Sequence, residues 1–287
     1  MKKCDYCPYE VPPSESRCPH CGRPSYFPNV DKALEEQTDL QNRYKDAVAG
    51  ATARGVDATV AKFEAKLNDS KAVINRPLFE LNLLMVEKKI GVYQTYYHLS
   101  EQIRLQKGDD EFDSLRRAAD GIFFTMYEKE IRFAALSLDS RGLENYGDSS
   151  WVLKDDMIAH RASLFDDNTT LYYLNNPDIK SSSNVPPGHR AIWADRARLC
   201  IAKLAGKIDN TTASTDFPLL LLVQGAASYE DEIVEVHIFG PMTINTIKEV
   251  TFKPISTTIS KKDRKIELAG IEGAKNKLRT HGVTIVP

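Results

Sequence analysis

The sequence predicts an α+β protein with a cysteine-based module at residues 1–30, a helical hairpin at 31–110 and an α+β domain at 111–287. Three observations support this division. Four of the five cysteines lie within the first 21 residues. Residues 31–106 are rich in Ala, Leu, Glu, Lys and Gln, which favour helices. The later sequence combines helical patterns with short apolar runs between turn residues, which predicts a mixed, mostly antiparallel sheet.

The N-terminal module contains two Cys-x-x-Cys pairs. Their cysteines are Cys4, Cys7, Cys18 and Cys21. A Cys-x-x-Cys turn lets two thiolates reach one ion, and two such turns complete the tetrahedral shell of structural zinc. A segment of about thirty residues buries too little apolar surface to fold alone, so the metal would supply folding free energy. We predict a zinc ribbon; a disulfide pair, unrelated thiols, or His20 as a ligand are the alternatives.

Composition restricts the functional classes. The formal net charge of -2 gives no global attraction to nucleic acid or to anionic membranes. Since no run of eighteen apolar residues is present and the N-terminus is polar, we expect neither a membrane span nor a signal peptide. Zinc-type cysteines without a secretory signal favour a cytoplasmic location.

The hairpin prediction depends on apolar residues at helical spacing. Gly50 and Gly55 predict a break, and Pro77 is expected near the first turn of a second long helix. An apolar stripe from Leu78 to Leu99 continues that helix. The hairpin either holds the ribbon away from the main domain or packs onto that domain. Three tyrosines in this region are expected in the core or at an interface rather than stacked on bases: Tyr93, Tyr96 and Tyr97.

The C-terminal segment alternates predicted helices and strands. Predicted strands are 131–138, 150–153, 218–223, 232–238, 244–252 and 283–286. Predicted helices are 112–130, 188–208 with Cys200 as a buried apolar residue, and part of the basic tail from 261. We interpret the tail charges as a solvated face, with a nucleic-acid or partner contact as the alternative.

The predicted strand at 232–238 carries an unusual pair of polar residues. No dinucleotide-binding glycine motif, P-loop, zincin or nucleophile-elbow motif is present. Glu235 and His237 are two residues apart, so they share one face of the strand. A carboxylate among apolar neighbours needs a partner or a function. The alternative is an edge strand with a solvated polar face.

Two stretches resemble the ADP-ribosyltransferase fold, in its phage and bacterial toxin-like branch. In that branch a late strand delivers a catalytic Glu before a turn and a short apolar segment. Residues 232–250 are similar to that element, which carries Glu235 onto the catalytic position. Residues 146–163 resemble the mid-domain segment, in which an Arg and a hydroxyl residue follow a Tyr-Gly turn. The sequence departs from the family in lacking a clear Ser-Thr-Ser motif, a Glu or Gln two residues before Glu235, and an evident first-strand Arg or His.

The resemblance implies an ADP-ribosyltransferase-like domain that uses NAD. Glu235 would stabilise the oxocarbenium-like state, and Arg161 or Arg141 would bind the pyrophosphate. Ser163 would support the nicotinamide side and Tyr146 would stack on it. Each has a structural alternative: Arg161 pairing with a nearby aspartate, Ser163 capping a helix, Tyr146 as a turn aromatic. His237 would either orient Glu235 or the acceptor, or it would pack in the core.

Three functional hypotheses follow. The first is a toxin or phage-defence effector whose zinc ribbon recruits a nucleic-acid or protein target, with an inhibitor partner protein. The second is a non-catalytic zinc-ribbon adaptor or nucleic-acid-binding protein. The third is a metal-independent hydrolase or nuclease that uses Glu235, His237 and Asp166.

Overall fold

The centre of the fold is an eight-stranded sheet with helices against both faces. The computed structural model describes residues 2–4, 7–12, 17–23, 25–85, 92–93, 110–182, 185–226, 230–255, 258 and 260–286. The described strands are β1 Lys2–Lys3, β2 Glu10–Val11, β3 Lys71–Arg76, β4 Ile131–Ser137, β5 Ser149–Leu153, β6 Ala162–Phe165, β7 Arg190–Ile192, β8 Glu235–Phe239, β9 Ile247–Phe252 and β10 Thr284–Val286. The small strands β1 and β2 pair antiparallel in the cysteine segment.

The sheet is mixed and mostly antiparallel. Its strand order is β10-β9-β5-β3-β4-β8-β6-β7. Strands β9 and β10 run parallel, and the other described neighbours run antiparallel. The described helices are α1 Pro28–Glu35, α2 Gln37–Ala53, α3 Asp57–Leu67, α4 Leu78–Leu84, α5 Asp110–Phe123, α6 Asp155–Ile158, α7 Thr169–Asn175, α8 Pro177–Ser182, α9 Arg196–Leu204, α10 Phe217–Leu221 and α11 Lys261–Thr280. The predicted α+β class is therefore confirmed.

Alternate residues of β8 face two different layers. Val236 and Ile238 are buried in the main core, to which α2, α3 and α9 contribute. Glu235 and His237 point to the opposite face, as expected for residues two apart on a strand. There a smaller aromatic layer contains Phe124 and Phe165, and α5, α7 and α8 contribute to it. This layer surrounds the candidate site.

The junction of α1 and α2 is joined to β7 by a buried ion pair. The carboxylate of Glu36 accepts hydrogen bonds from the Arg190 guanidinium and from the backbone N–H groups of Gly188, at 3.0 Å, and Arg190, at 3.2 Å. Gly188 has φ +87°, and a Cβ there would lie 2.9 Å from the backbone carbon of Asp39. Only glycine accommodates both this φ and the close approach of α2.

The predicted hairpin contains a strand of the main sheet. The prediction of helix throughout 31–106 is wrong at Lys71–Arg76, which forms β3 between β4 and β5. Four consecutive residues of β3 are buried, because the strand is covered on both faces. The β-branched residues Val73 and Ile74 favour this conformation. Helices α2 and α3 pack onto the domain, with Leu40 and Phe63 in the main core.

The second predicted helix of the hairpin is shorter than expected. Helix α4 begins after Pro77, close to the predicted start, but ends at Leu84. Val92 forms a bridge with Thr243, and the Tyr93 N–H donates to the carbonyl of Met242 at 2.7 Å, so the helix does not continue there. Tyr93 is buried, as predicted. Residues 86–91 and 94–106 of the predicted helix, with Tyr96 and Tyr97 among them, lie outside the described residues.

Two predictions in the C-terminal segment are corrected. The leucine run predicted as a strand at 218–223 is helix α10, because Pro218 suits a first helical turn and Leu219 is exposed while Leu221 is buried. The predicted helix at 188–208 begins only at Arg196, after strand β7. Cys200 is buried in α9, as predicted. The strands at 131–138, 150–153 and 244–252, and the C-terminal helix and strand, are confirmed in outline.

Candidate functional site

The four N-terminal cysteines form one cluster. Their sulfur atoms all lie within 4.8 Å of one another. The Cys4 and Cys21 sulfurs are 3.7 Å apart, and those of Cys7 and Cys18 are 3.6 Å apart. Four sulfurs at about 2.3 Å from a tetrahedral zinc would be about 3.8 Å apart, so the cluster has the size of a metal-binding shell. None of the cysteines is in a disulfide. The cluster is zinc-ribbon-like and could hold a metal ion.

Local backbone geometry brings the second cysteine pair together. The N–H of Gly22 donates to the carbonyl of Cys18 at 2.8 Å, and the N–H of Cys18 donates to the carbonyl of Arg23 at 2.8 Å. Gly22 has φ +68°, a conformation that glycine adopts without strain. This tight turn lets Cys18 and Cys21 present their sulfurs to a common point.

Glu235 lies at the start of β8 under helix α5. Its side chain is only 4% exposed. One carboxylate oxygen, Oε2, accepts hydrogen bonds from the Thr169 N–H at 3.2 Å and hydroxyl at 2.8 Å, and lies 3.1 Å from Nε2 of His237. The other oxygen, Oε1, lies 3.4 Å from Nη2 of Arg116. Of the two alternatives for this strand, the interior one is observed, and Glu235 has the partners that a buried carboxylate requires.

Arg116 connects α5 to this carboxylate. Its Nε lies 3.1 Å from Oδ1 of Asp120, one helical turn further along α5. Its guanidinium carbon lies 3.9 Å from the centre of the Phe133 ring, which is a cation–π distance. Burial disfavours the charge of Arg116, but the carboxylates of Asp120 and Glu235 raise its pKa above the ordinary value. The guanidinium thus lies between an aromatic face and two carboxylates.

The charge state of Glu235 follows from these partners. Burial alone would raise the pKa of this carboxyl. The positive charge of Arg116 and hydrogen bonds from His237 and Thr169 outweigh burial and lower the pKa to about 2. Glu235 is therefore an anion at neutral pH. Burial lowers the pKa of His237, against the opposing effect of Glu235, so the imidazole is neutral and its Nε2–H donates to Glu235.

The position of His237 is fixed from several sides. Its ring contacts Phe124 edge-on, with 4.6 Å between ring centres, and also contacts Phe133. Its backbone carbonyl accepts a hydrogen bond from the Asn29 amide at 2.9 Å. Of the two roles predicted for His237, the geometry contains both: the ring packs among aromatics, and Nε2 orients Glu235.

The neutral state of His237 predicts a pH dependence of stability. The unfolded chain takes up a proton near pH 6.5, the ordinary pKa of histidine, whereas the folded state resists it because the folded pKa is lower. Stability conferred by a neutral His237 is therefore present above pH 6.5 and is lost as pH falls below it, by up to about 1.4 kcal/mol per pH unit. His237→Gln should reduce this slope in denaturant unfolding between pH 7.5 and 5.5.

The same substitution at the exposed His281 provides the matched control for replacing a histidine by glutamine. Glu235 titrates in a separate window, because its stabilising effect is lost only as pH falls from about 4.5, its ordinary pKa, towards about 2. An unchanged slope in His237→Gln would contradict the neutral assignment.

The other predicted ligand residues lie in different surroundings. Ser163 is next to His237 across the β6–β8 pair, and its hydroxyl accepts a hydrogen bond from Asn29 at 3.1 Å. Arg161 donates to the carbonyls of Phe239 at 2.6 Å and Pro241 at 2.9 Å, so it holds the turn after β8.

Tyr146 and Arg141 lie on the connection between β4 and β5. Tyr146 packs against Leu143 and Ile233, and is close enough to Arg116 to raise the pKa of that guanidinium. Arg141 is exposed, and its backbone N–H donates to Asp139 at 3.0 Å. Of the predicted ligand residues, Ser163 and Tyr146 lie nearest the polar network around Glu235.

Asp166 belongs to a neighbouring network. Its carboxylate lies 2.8 Å from the Arg43 guanidinium and 3.0 Å from Nδ1 of His189. The grouping of Glu235, His237 and Asp166 in the third hypothesis therefore divides into two networks in the structure.

Sequence reasoning missed Arg116 and Thr169. Both are distant from Glu235 in sequence and reach it through tertiary packing. A signal was available for Arg116, because Asp120 follows it by four residues, the spacing of an ion pair on one helical face.

Comparison with known proteins finds no matching family model, no matching curated protein and no matching solved structure. Within the residues that the structure describes, no helix has the length and apolar character required to cross a membrane.

Proposed function

We propose that this protein is an ADP-ribosyltransferase-like enzyme that acts on NAD, with Glu235 as the catalytic carboxylate. The observation that supports this proposal is a buried carboxylate that lies 3.1 Å from a histidine nitrogen and 2.8 Å from a threonine hydroxyl, with a cation near its other oxygen. The charge of Arg116 and these hydrogen bonds lower the pKa of Glu235, so the carboxylate is ionised. Ionised carboxylates in such sites are arranged for chemistry more often than surface carboxylates are. The ring of Phe133, against which the Arg116 guanidinium lies, is half-buried.

The chemistry requires a fixed negative charge. Cleavage of the bond between nicotinamide and ribose develops positive charge on the ribose. A carboxylate stabilises that charge and accepts a hydrogen bond from the ribose 2′-OH. Glu235 would supply both interactions, and Thr169 and His237 would hold its carboxylate in position.

The candidate ligand-contacting residues differ in exposure and in the hydrogen bonds that they already make. Arg141 is exposed and is our candidate for the pyrophosphate, with Arg161 requiring release from the carbonyls of Phe239 and Pro241 to take that role. Tyr146 is the candidate stacking residue because it is half-buried near Arg116. The Ser163 hydroxyl already accepts a hydrogen bond from Asn29, so it would act on the nicotinamide side only if it makes both interactions at once.

The cysteine cluster completes the proposal. We propose that it binds one structural Zn²⁺, since four thiolates in a tetrahedral shell favour zinc. The ribbon would direct the enzyme to a nucleic-acid or protein target in the cytoplasm. A toxin or phage-defence effector of this kind would require an inhibitor partner protein in its host.

A second candidate is a non-catalytic zinc-ribbon adaptor or nucleic-acid-binding protein. One observation favours it: both oxygens of Glu235 have partners within the protein. In that case the Glu235 network only stabilises the contact between the sheet and α5.

Transfer of label from NAD distinguishes the two candidates. Wild type and Glu235→Gln are incubated with radiolabelled NAD and total cell protein, RNA or DNA. The transferase predicts label on one acceptor class with wild type and none with Glu235→Gln. Glu232→Gln is the matched control, because Glu232 is an exposed carboxylate three residues away, paired with Lys207. No label with any acceptor from folded, zinc-loaded wild type would favour the adaptor.

A further inference from the structure

The space beside Glu235 is occupied by a planar cation of the protein itself, the guanidinium of Arg116. The Arg116 guanidinium lies against the Phe133 ring at 3.9 Å and reaches Oε1 of Glu235 at 3.4 Å. Of the contacts to Glu235, this is the longest, whereas Thr169 and His237 hold Oε2 at 2.8–3.2 Å. Oε2 is thus held by His237 of β8 and by Thr169 at the start of α7, whereas Oε1 faces a cation that comes from α5.

Arg116 is more exposed than the carboxylate it contacts. Its side chain is 15% exposed, compared with 4% for Glu235. Phe133, which it covers, is half-buried. Removal of the guanidinium would therefore uncover one aromatic face and one carboxylate oxygen next to each other. Such a pair is complementary to a planar aromatic cation, which gains cation–π contact and charge pairing at the same time.

We infer that Arg116 is an internal plug: helix α5 closes the site by placing its guanidinium where a planar cationic ligand would bind between Phe133 and Glu235. The ligand class is a pyridinium, as at the nicotinamide end of oxidised NAD. This identification rests on the proposed function, with Phe133 taking the stacking role that was assigned there to Tyr146. Binding requires Arg116 to leave Glu235. Asp120 can retain the guanidinium on α5 as it leaves, because the two residues are one helical turn apart.

The plug has a measurable consequence for affinity. A site that is open about a tenth of the time binds its ligand about tenfold more weakly than an open site. Removal of the guanidinium should therefore strengthen binding of a planar cation and leave binding of a neutral analogue weak.

Binding of the N-methylnicotinamide cation tests this directly by calorimetry. We expect Arg116→Ala to bind it about tenfold more tightly than wild type. Arg117→Ala, an exposed neighbour on the same helix, should match wild type. Neutral nicotinamide should not gain affinity, and Arg116→Ala combined with Glu235→Gln should lose the gain. Equal affinity of Arg116→Ala and wild type for the cation would overturn the inference.

A second measurement uses wild type alone, in case Arg116→Ala does not fold. Amide hydrogen exchange of residues 114–123 should become faster when the cation is present at saturation, because α5 must release Glu235. Unchanged or slower exchange with the cation bound would contradict the plug.

The two proposals can fail separately. If Arg116→Ala binds the cation through Glu235 but no variant cleaves NAD, the plug stands and the transferase fails. If wild type cleaves NAD but Arg116→Ala loses this activity and binds the cation no better, the transferase stands and the plug fails.

Discussion

Cys18→Ser should abolish stoichiometric zinc binding. Cys18 is one of two buried members of the sulfur cluster, so serine leaves three thiolates and a hydroxyl around a site of tetrahedral sulfur geometry. Among its described residues, the ribbon has little apolar core apart from Val11 and the cysteines themselves. Since metal binding and folding are coupled in such modules, loss of the metal should unfold the ribbon.

Zinc content by atomic absorption and proteolysis of the N-terminal segment check this prediction. Wild type should contain one zinc per chain, and Cys18→Ser much less than one, with cleavage of the ribbon. Cys200→Ser is the control, because Cys200 is buried in α9, where burial raises its pKa to about 12. It should retain zinc. Full zinc content in Cys18→Ser would contradict the four-cysteine site.

Glu36→Gln should destabilise the fold by about 3–5 kcal/mol, because it leaves the buried guanidinium of Arg190 without a countercharge. The side chains of Glu36 and Arg190 are 4% and 9% exposed. The same carboxylate also accepts the N–H groups of Gly188 and Arg190, so its loss weakens the junction of α2 with β7.

Urea unfolding at pH 7 measures this change in free energy. Glu35→Gln provides the control one residue away, since the Glu35 carboxylate is 68% exposed and pairs only with the exposed Lys32 among its described contacts. That variant should change stability by about 0.5 kcal/mol or less. If Glu36→Gln changes the free energy of unfolding as little as Glu35→Gln does, this would contradict a stabilising role for the buried ion pair of Glu36 and Arg190.

The sequence predicted those features that depend on the spacing of residues close together in the chain. The Cys-x-x-Cys pairs predicted the sulfur cluster, and alternation of apolar residues predicted β4, β5 and β9. The pattern at 232–238 also placed Glu235 and His237 on one face of a strand, which the structure confirms. It did not decide between an interior strand and a solvated edge strand, and the structure shows β8 between β4 and β6.

The patterns failed where tertiary packing decides the conformation. Strand β3 has two β-branched residues, Val73 and Ile74, within a longer sequence of good helix formers, and its position between β4 and β5 decides its conformation. Strand β6 has four residues, too few for a clear alternation. Arg116 and Thr169 could not be assigned to Glu235 because they reach it only in the folded chain.

A structural role and a catalytic role for Glu235 predict different behaviour of a Glu235 variant. As a purely structural ion pair, Glu235 should matter only for folding, whereas a catalytic carboxylate should matter for the reaction even in a folded variant. Glutamine keeps the size of the side chain and can still accept a hydrogen bond from Thr169. Glu235→Gln therefore removes the charge with little change in shape.

Release of nicotinamide from NAD tests the catalytic role of Glu235 most directly, because water can serve as the acceptor and no target need be known. Wild type and Glu235→Gln are compared at pH 7 by chromatography, after circular dichroism has verified that both are folded. The transferase account predicts nicotinamide release by wild type that falls about 100-fold or more in Glu235→Gln. Equal release by the two folded proteins, or none by zinc-loaded wild type, would contradict a catalytic role for Glu235.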